Sequence, residues 1–400
     1  MMLKILGLPS DIGKPGEELE TDNRGLARGP VRAVGSYRIK WPFDWIRATG
    51  LAEEIDYYAA PGQLAFELVR DFDVVVMQRQ TMPHHITLME HVSSFLKNRI
   101  AVYDFDDDLM NLDPANPAYI FWGDDKRKLW SAFEEIRDND MGRVDAPERI
   151  TPDMVYKQAQ LNRLGFAEML SSVDLITVST DYLKAKYLPL TATPIEVVPN
   201  GIVESSWANI DPIRVAEGTV IGWAGGFSHK SDLQMIAGAV AQVAKRNEDV
   251  TLALIGWPGA RDVFPAWMKD RIVTVDWLPM DEYRAYVKGF DIGLAPAART
   301  AQNMAKSPIR VFELGLAGVP VVASEVCYGR FVPDGSGYVA QTVRQFGKAI
   351  EKLIRAGHEK RCNMGTVLKD YVLNKHTVAH TGARMLEVYE DALERKKANN

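Results

Sequence analysis

Lys306, Arg310 and Glu313 fall within eight residues of chain on one stretch, AKSPIRVFELGLAGVPVVA, residues 305–323. Ser307 is a good N-cap, Pro308 suits a first helical position, and Ile309, Phe312 and Leu316 repeat at helical spacing before Gly318. A helix over Pro308–Ala317 is predicted, and the β-branched run Val319–Ala323 reads as a buried parallel strand. Lys306 then sits at a helix N-terminus, where free N–H groups and the dipole favour an anion and a lysine adds a mobile charge suited to phosphate. Glu313 lies about two turns in, and helical side chains lean toward the N-terminus, so its carboxylate can accept from hydroxyls at the same place. The chemistry is that of a pocket for a phosphorylated, hydroxyl-rich ligand. The same residues would also serve as a surface lysine, an Arg310–Glu313 surface pair and an ordinary helix-to-strand connection.

The elements that must position these groups come from a chain of 400 residues, which suggests two domains of roughly 200 residues each. Hydrophobic residues make up 46% and charged residues 25%, the balance of a soluble globular protein, and no segment approaches the roughly 20 apolar residues that span a bilayer. The opening MMLKILGLPS has too short an apolar run for a signal peptide and reads as a first strand. A net charge of -6 argues against bulk electrostatic capture of nucleic acid. Cys327 and Cys362 show no paired-ligand spacing, which points to a reduced, zinc-free, cytoplasmic chain.

Strands are predicted at Leu3–Leu8, Glu54–Tyr58, Asp73–Met77, Ile100–Tyr103, Leu175–Val178 and Ile195–Val198, with clear helices at His85–Lys97 and Asp153–Ser171. A fresh alternation follows, with strands at Val220–Gly222, Thr251–Ile255, Ile272–Val275, Ile292–Ala295 and Val319–Ala323. Helices are predicted between them at Asp232–Arg246, Asp281–Lys288 and Pro308–Ala317, then at Val343–Ala356 and Val378–Lys396. The pattern is α/β, two doubly wound parallel sheets. The domains expected are 1–200, with an insertion at about 107–152 that could form a lid or acceptor wall, 201–377, and a packing helix in 378–400.

Three strand ends of the second half converge on one ligand. In IGWAGGFSHKSDL, Gly225 and Gly226 let backbone N–H groups approach a phosphate, a helix is capped near Ser231, and His229 or Lys230 adds charge. In LALIGW and VDWLPMDEY, Gly256, Trp257, Trp277 and Leu278 suit a flat base, although core tryptophans read the same way. The third is the 305–323 stretch itself, preceded by AARTAQNMAKS. Together they point to a nucleotide diphosphate site.

Facing it, FDVVVMQRQTMPHH places Arg79, Gln80, His84 and His85 at a strand end, and the long first loop offers Arg24, Arg28 and Arg32 as contacts for an acceptor or phosphate. In VYDFDDDLMNLDPANPAY, Asp104, Asp106, Asp107 and Asp108 raise the question of a metal. No dispersed histidine or further ligand pattern supports one, so capping, loop hydrogen bonds or acceptor contact are the favoured roles. Trp41, Phe43, Trp45 and Ile46 offer either core packing or a membrane-facing edge.

The order VVPNGI, IGWAGGFSHKSDL, LALIGW, VDWLPMDEY, DIGLAP and KSPIRVFELGLAGVPVVAS resembles the GT-B glycosyltransferases of the large retaining family 4 type, particularly O-antigen-biosynthesis and phage-encoded members. The match runs over roughly Pro194 to Ala323. The resemblance implies two facing Rossmann-like domains, a donor held mostly by the second and a C-terminal helix returning to the first. It implies that Glu313 binds ribose and that Lys306 and Lys230 bind the diphosphate, with transfer from a UDP- or GDP-sugar, retention, and no metal or other cofactor. Ala305 stands where the family often has a first glutamate, so Asn303, Lys306 and Ser307 become the candidates for contact with the donor sugar. The usual arginine near Gly226 is also missing, with His229 a substitute. The acceptor hydroxyl is left open among a glycan, a lipid-linked glycan, a protein and a modified DNA base, the lipid case implying peripheral membrane contact. A same-fold epimerase or phosphorylase, or a non-catalytic sugar-nucleotide-binding protein, are the competing readings.

Overall fold

The computed structural model describes residues 2–10, 20–21, 27–28, 31, 33–58, 64–138 and 150–399. The first sheet is built from β1 (Lys4–Leu8), β2 (Glu54–Tyr57), β3 (Val74–Gln78), β4 (Ile100–Phe105), β5 (Leu175–Val178) and β6 (Ile195–Val197). All pairings are parallel, in the order β2-β1-β3-β4-β5-β6. The second comprises β7 (Thr219–Ala224), β8 (Val250–Ile255), β9 (Ile272–Val275), β10 (Ile292–Ala295), β11 (Val321–Ser324) and β12 (Gly337–Ala340). It too is parallel, in the order β9-β8-β7-β10-β11-β12. β12 escaped the sequence reading because it is a short, half-buried edge run behind the turn-rich PDGSG.

Strands buried on both faces explain the continuous apolar runs. In β1 and β3, Leu6, Leu8, Val75 and Met77 enter one core, while Ile5, Val74 and Val76 enter another on the opposite face. The second core is closed by the last helix. Met385, Leu386, Val388, Tyr389, Ala392 and Leu393 of Val378–Asn399 pack there with Phe43 and Ile46 of Trp41–Thr49. Phe43 and Ile46 are fully buried, so this cluster is core under the C-terminal helix and not a membrane-facing edge.

Two chain crossings join the halves. Ile202 bridges Thr377 in parallel, its N–H donating to the His376 carbonyl at 2.9 Å and its carbonyl accepting from the Val378 N–H at 2.9 Å. A Cβ on Gly201 would collide with the Thr377 carbonyl, so the close approach needs glycine there. The helix expected to end at Ala356 runs on from Val343 to Lys375 through a break at Gly357 (φ 78°, ψ 168°). In the expected insertion, helices Tyr119–Trp122 and Lys126–Asp138 pack with Pro152–Met169 around Leu129, Phe133 and Ala159; residues 139–149 lie outside the described residues.

Candidate functional site

The helix carrying Glu313 spans Ile309–Leu316, with Pro308 as its N-cap and Gly318 (φ 73°) closing the turn into β11. Ser307 is therefore not the N-cap. Its hydroxyl is buried without a hydrogen-bond partner beside Lys306, as is Arg310 Nη1. Arg310 lies over the Trp223 ring, 5.7 Å from its centroid, and Glu313 is only 9% exposed. A surface Arg310–Glu313 pair is thus ruled out. Glu313 Oε2 accepts from the Tyr283 hydroxyl at 2.8 Å, and Oε1 accepts from the Tyr37 hydroxyl at 3.2 Å, reaching over from the first half. Burial pushes the Glu313 carboxyl above its usual range, against the Tyr283 hydrogen bond and the Arg310 charge. Burial likewise holds the Lys306 ammonium below the usual lysine range, against the pull of Asp107 and Asp232.

The helix after β7 starts at Lys230, with His229 and not Ser231 as its N-cap. His229 Nδ1 lies 2.8 Å from Asp232 Oδ2. The other Asp232 oxygen accepts from the Ala298 N–H at 2.8 Å and from Asn303 Nδ2 at 2.6 Å, and Asn303 Nδ2 also donates to the Ala298 carbonyl at 2.9 Å. The Asn303 amide nitrogen is thereby committed to holding the 298–303 loop. Its helix, Ala301–Ala305, docks on the first half: Thr180 donates to the Ala305 carbonyl at 3.1 Å, Gln302 Oε1 accepts from the Asp113 N–H at 2.9 Å, and Ala305 is fully buried in the first half's core. Lys230 pairs with Glu135 at 3.4 Å and lies over Phe227, which ties it to helix Lys126–Asp138.

Two of the glycine N–H groups are committed to backbone carbonyls and not left for a phosphate. Gly225 donates to the Ile255 carbonyl at 2.9 Å, and a Cβ there would meet Arg310 Nη2 at 2.8 Å. Gly256 has φ 98°, a conformation side chains avoid, and donates to the Val275 carbonyl at 2.9 Å. Trp277 is 74% exposed, with its ring edge 3.7 Å from where a Gly226 Cβ would stand. It is not a core tryptophan. Trp257 is half-buried and packs edge-on to Phe227, and Leu278 packs against the second half's core.

Across the cleft, Arg79 (φ 54°) donates through Nη2 to Asp106 and, at 2.7 Å, to Asp107. Arg38 is fully buried and forks onto Asp104 at 3.0 and 2.6 Å, with its remaining nitrogen on the Val198 carbonyl at 2.5 Å and Asn200 Oδ1 at 2.8 Å. Lys186 and Tyr187 take Asp108. Every one of these aspartates is therefore paired with a cation, Asp106 and Asp107 sharing Arg79, and among the described residues no group of three or more His, Cys, Asp or Glu could hold a metal. His85 Nδ1 accepts from the Met82 N–H at 3.3 Å and so caps its own helix, while burial, with the His84 charge, pushes it down to about 4. His84 is exposed. Arg24 and Arg32 lie outside the described residues; Arg28 stands on a two-residue strand paired with Glu20–Thr21.

Tyr37, Arg38, Tyr283 and Asp232 were missed. Only Asp232 had a local signal, three positions after His229 in a first helical turn.

A family model described as "Glycosyl transferase-like" matches residues 237–387, which include Lys306 and Glu313. A protein of Bacillus subtilis (strain 168), provisionally named as the teichuronic acid biosynthesis glycosyltransferase TuaH, is 31% identical over 185 residues, 43% of this chain and 44% of that protein. The 2-deoxystreptamine glucosyltransferase of Streptomyces kanamyceticus is 24% identical over 250 residues, 57% of this chain and 62% of that one. The chain thus spans about half the length of these curated relatives. Anabaena HepE, solved in complex with UDP, superposes over 97% of this chain and 100% of its own at a TM-score of 0.57 and 13% identity. The fold is GT-B. Glu313 and Lys306, in the second half, stand beside Tyr37 and Asp107 of the first, and Asp107 is paired with Arg79.

Proposed function

We propose that the protein is a glycosyltransferase that moves a sugar from a nucleoside-diphosphate sugar to a hydroxyl acceptor. One observation carries the reading. A buried carboxylate, Glu313, shares a helix with the half-buried Arg310 and follows Lys306, at the C-terminal ends of parallel strands where open α/β sheets bind ligands. Glu313 is the group for ribose hydroxyls, while Lys306, the unpartnered Arg310 Nη1 and Ser307 Oγ are the groups for a diphosphate. The exposed Trp277 ring beside the Gly226 backbone is a platform for the base. UDP is the favoured nucleotide, in keeping with the UDP bound by HepE.

Transfer in this site uses position and charge. The donor is held with its leaving diphosphate against Lys306 and Arg310, which stabilise the charge that develops as the glycosidic bond breaks. Retention and independence from a metal belong to the same proposal, as does a closeness to O-antigen-biosynthesis and phage-encoded enzymes, which rests on KSPIRVFELGLAGVPVVAS. The acceptor meets the donor from the first sheet's side, near Asp107.

The test is nucleoside diphosphate release from a panel of UDP-, GDP-, ADP- and TDP-sugars by the wild type, Glu313→Ala and Lys306→Ala. Slow hydrolysis of one donor, reduced at least about 100-fold in both variants, is expected. Failure of every donor to bind would overturn the proposal.

A further inference from the structure

We propose that His229 is a phosphate ligand that takes up a proton as the donor binds, so that donor affinity rises as pH falls. This rests on the donor-site reading above and adds a proton to it.

The geometry is that of an imidazole held by a fixed carboxylate. Nδ1 is 2.8 Å from Asp232 Oδ2, and Asp232 cannot swing away because its other oxygen holds the Ala298 N–H and the Asn303 amide. With Nδ1–H donated to Asp232, the second ring nitrogen Nε2 is left for the site, and the His229 side chain is only 19% exposed. His229 is also the N-cap of Lys230–Arg246, so an anion there meets the positive end of that helix dipole.

The charges around it set the direction. Lys306 and Arg310 approach from the 306–316 segment, and Asp107, paired with Arg79, from the first half. On its own element are Asp232 and Lys230, the latter paired with Glu135. Burial and the charges of Lys306 and Arg310 push His229 down to about 3, so the imidazole is neutral in the empty site. A diphosphate brings about two negative charges against those cations, and Asp232 already favours the charged ring. The complex therefore binds one more proton than its parts. Donor binding is independent of pH above the bound-state value and strengthens as pH falls through that value toward the free-site value of about 3. Protonated Nε2–H then donates to a phosphate oxygen of the leaving group.

The experiment is calorimetric binding of UDP-glucose, with GDP-glucose as second probe, to the full chain between about pH 6 and 8, in buffers of different protonation enthalpy. Neither probe titrates in that range, so any proton drawn from the buffer is taken up by the protein. Affinity is expected to weaken by up to about tenfold per pH unit, with uptake approaching one proton at the acid end. His229→Gln keeps a hydrogen-bond donor and should still bind, with slope and uptake lost. Asp232→Asn should move the sloping range to lower pH, a shift that loss of a purely structural bond would not cause. Binding without uptake in the wild type, or uptake that persists in His229→Gln and so belongs to Lys306, would overturn the inference. Should neither probe bind, the donor-site reading falls, and this inference with it.

Discussion

Both oxygens of Glu313 are engaged by tyrosine hydroxyls, and only Tyr283 belongs to its own half of the molecule. A ribose that takes Oε1 must displace Tyr37. Tyr37→Phe removes that competitor, and because a hydrogen bond is worth about 1 kcal/mol net, UDP should bind up to about fivefold tighter; Tyr283→Phe, which loosens the carboxylate itself, should weaken it. Arg38 makes a different demand. Its guanidinium is sealed beside Asp104, so Arg38→Met, which strands the carboxylate, should cost about 3–5 kcal/mol in denaturant unfolding, and adding Asp104→Leu should restore much of it. Lys306 and Glu313 could be read from sequence because a helix start and helical spacing place them. Arg38 and Tyr37 could not, since their partners lie 66 and 276 positions away.

At the scale of elements, the central strands were readable because they are buried on both faces and form continuous apolar runs, whereas the short edge strand β12 and the break at Gly357 left no such run to read. The short helix Ala301–Ala305 shows why a family pattern can fail at one position. Ala305 is sealed in the first half's core with its carbonyl held by Thr180, so a glutamate there would bury an unpartnered charge. Ala305→Glu is accordingly expected to destabilise the chain by about 3 kcal/mol without gaining activity, as thermal unfolding and donor hydrolysis would record. Sequence reading put Asn303 at the donor; its amide nitrogen serves Asp232, a bond visible only once both loops are in place.

For the whole molecule, the halves meet where the chain crosses twice, and His376 marks that place. Its ring stacks on Phe312 at 4.3 Å and 14°, with Phe331 and Tyr371 around it. Burial, then the charges of His380 and Lys375, push it down to about 4. The folded value lies below the unfolded value of about 6.5, so the unfolded chain binds the proton first and stability is lost as pH falls from about 6.5 to 4. His376→Asn should flatten that part of the stability profile in urea titrations at stepped pH.

The return of the last helix to the first sheet also fixes an order in time. About 180 residues separate the end of β6 from Val378, and synthesis at ~5–20 residues per second takes roughly 10–40 s to cover them. Through that interval the face of the first sheet formed by Ile5, Val74, Val76 and Val102 stands without the helix that covers it. A nascent chain of this fold thus carries that apolar face without its last helix while the second half is made, and a chain released before Val378 would lack that cover altogether.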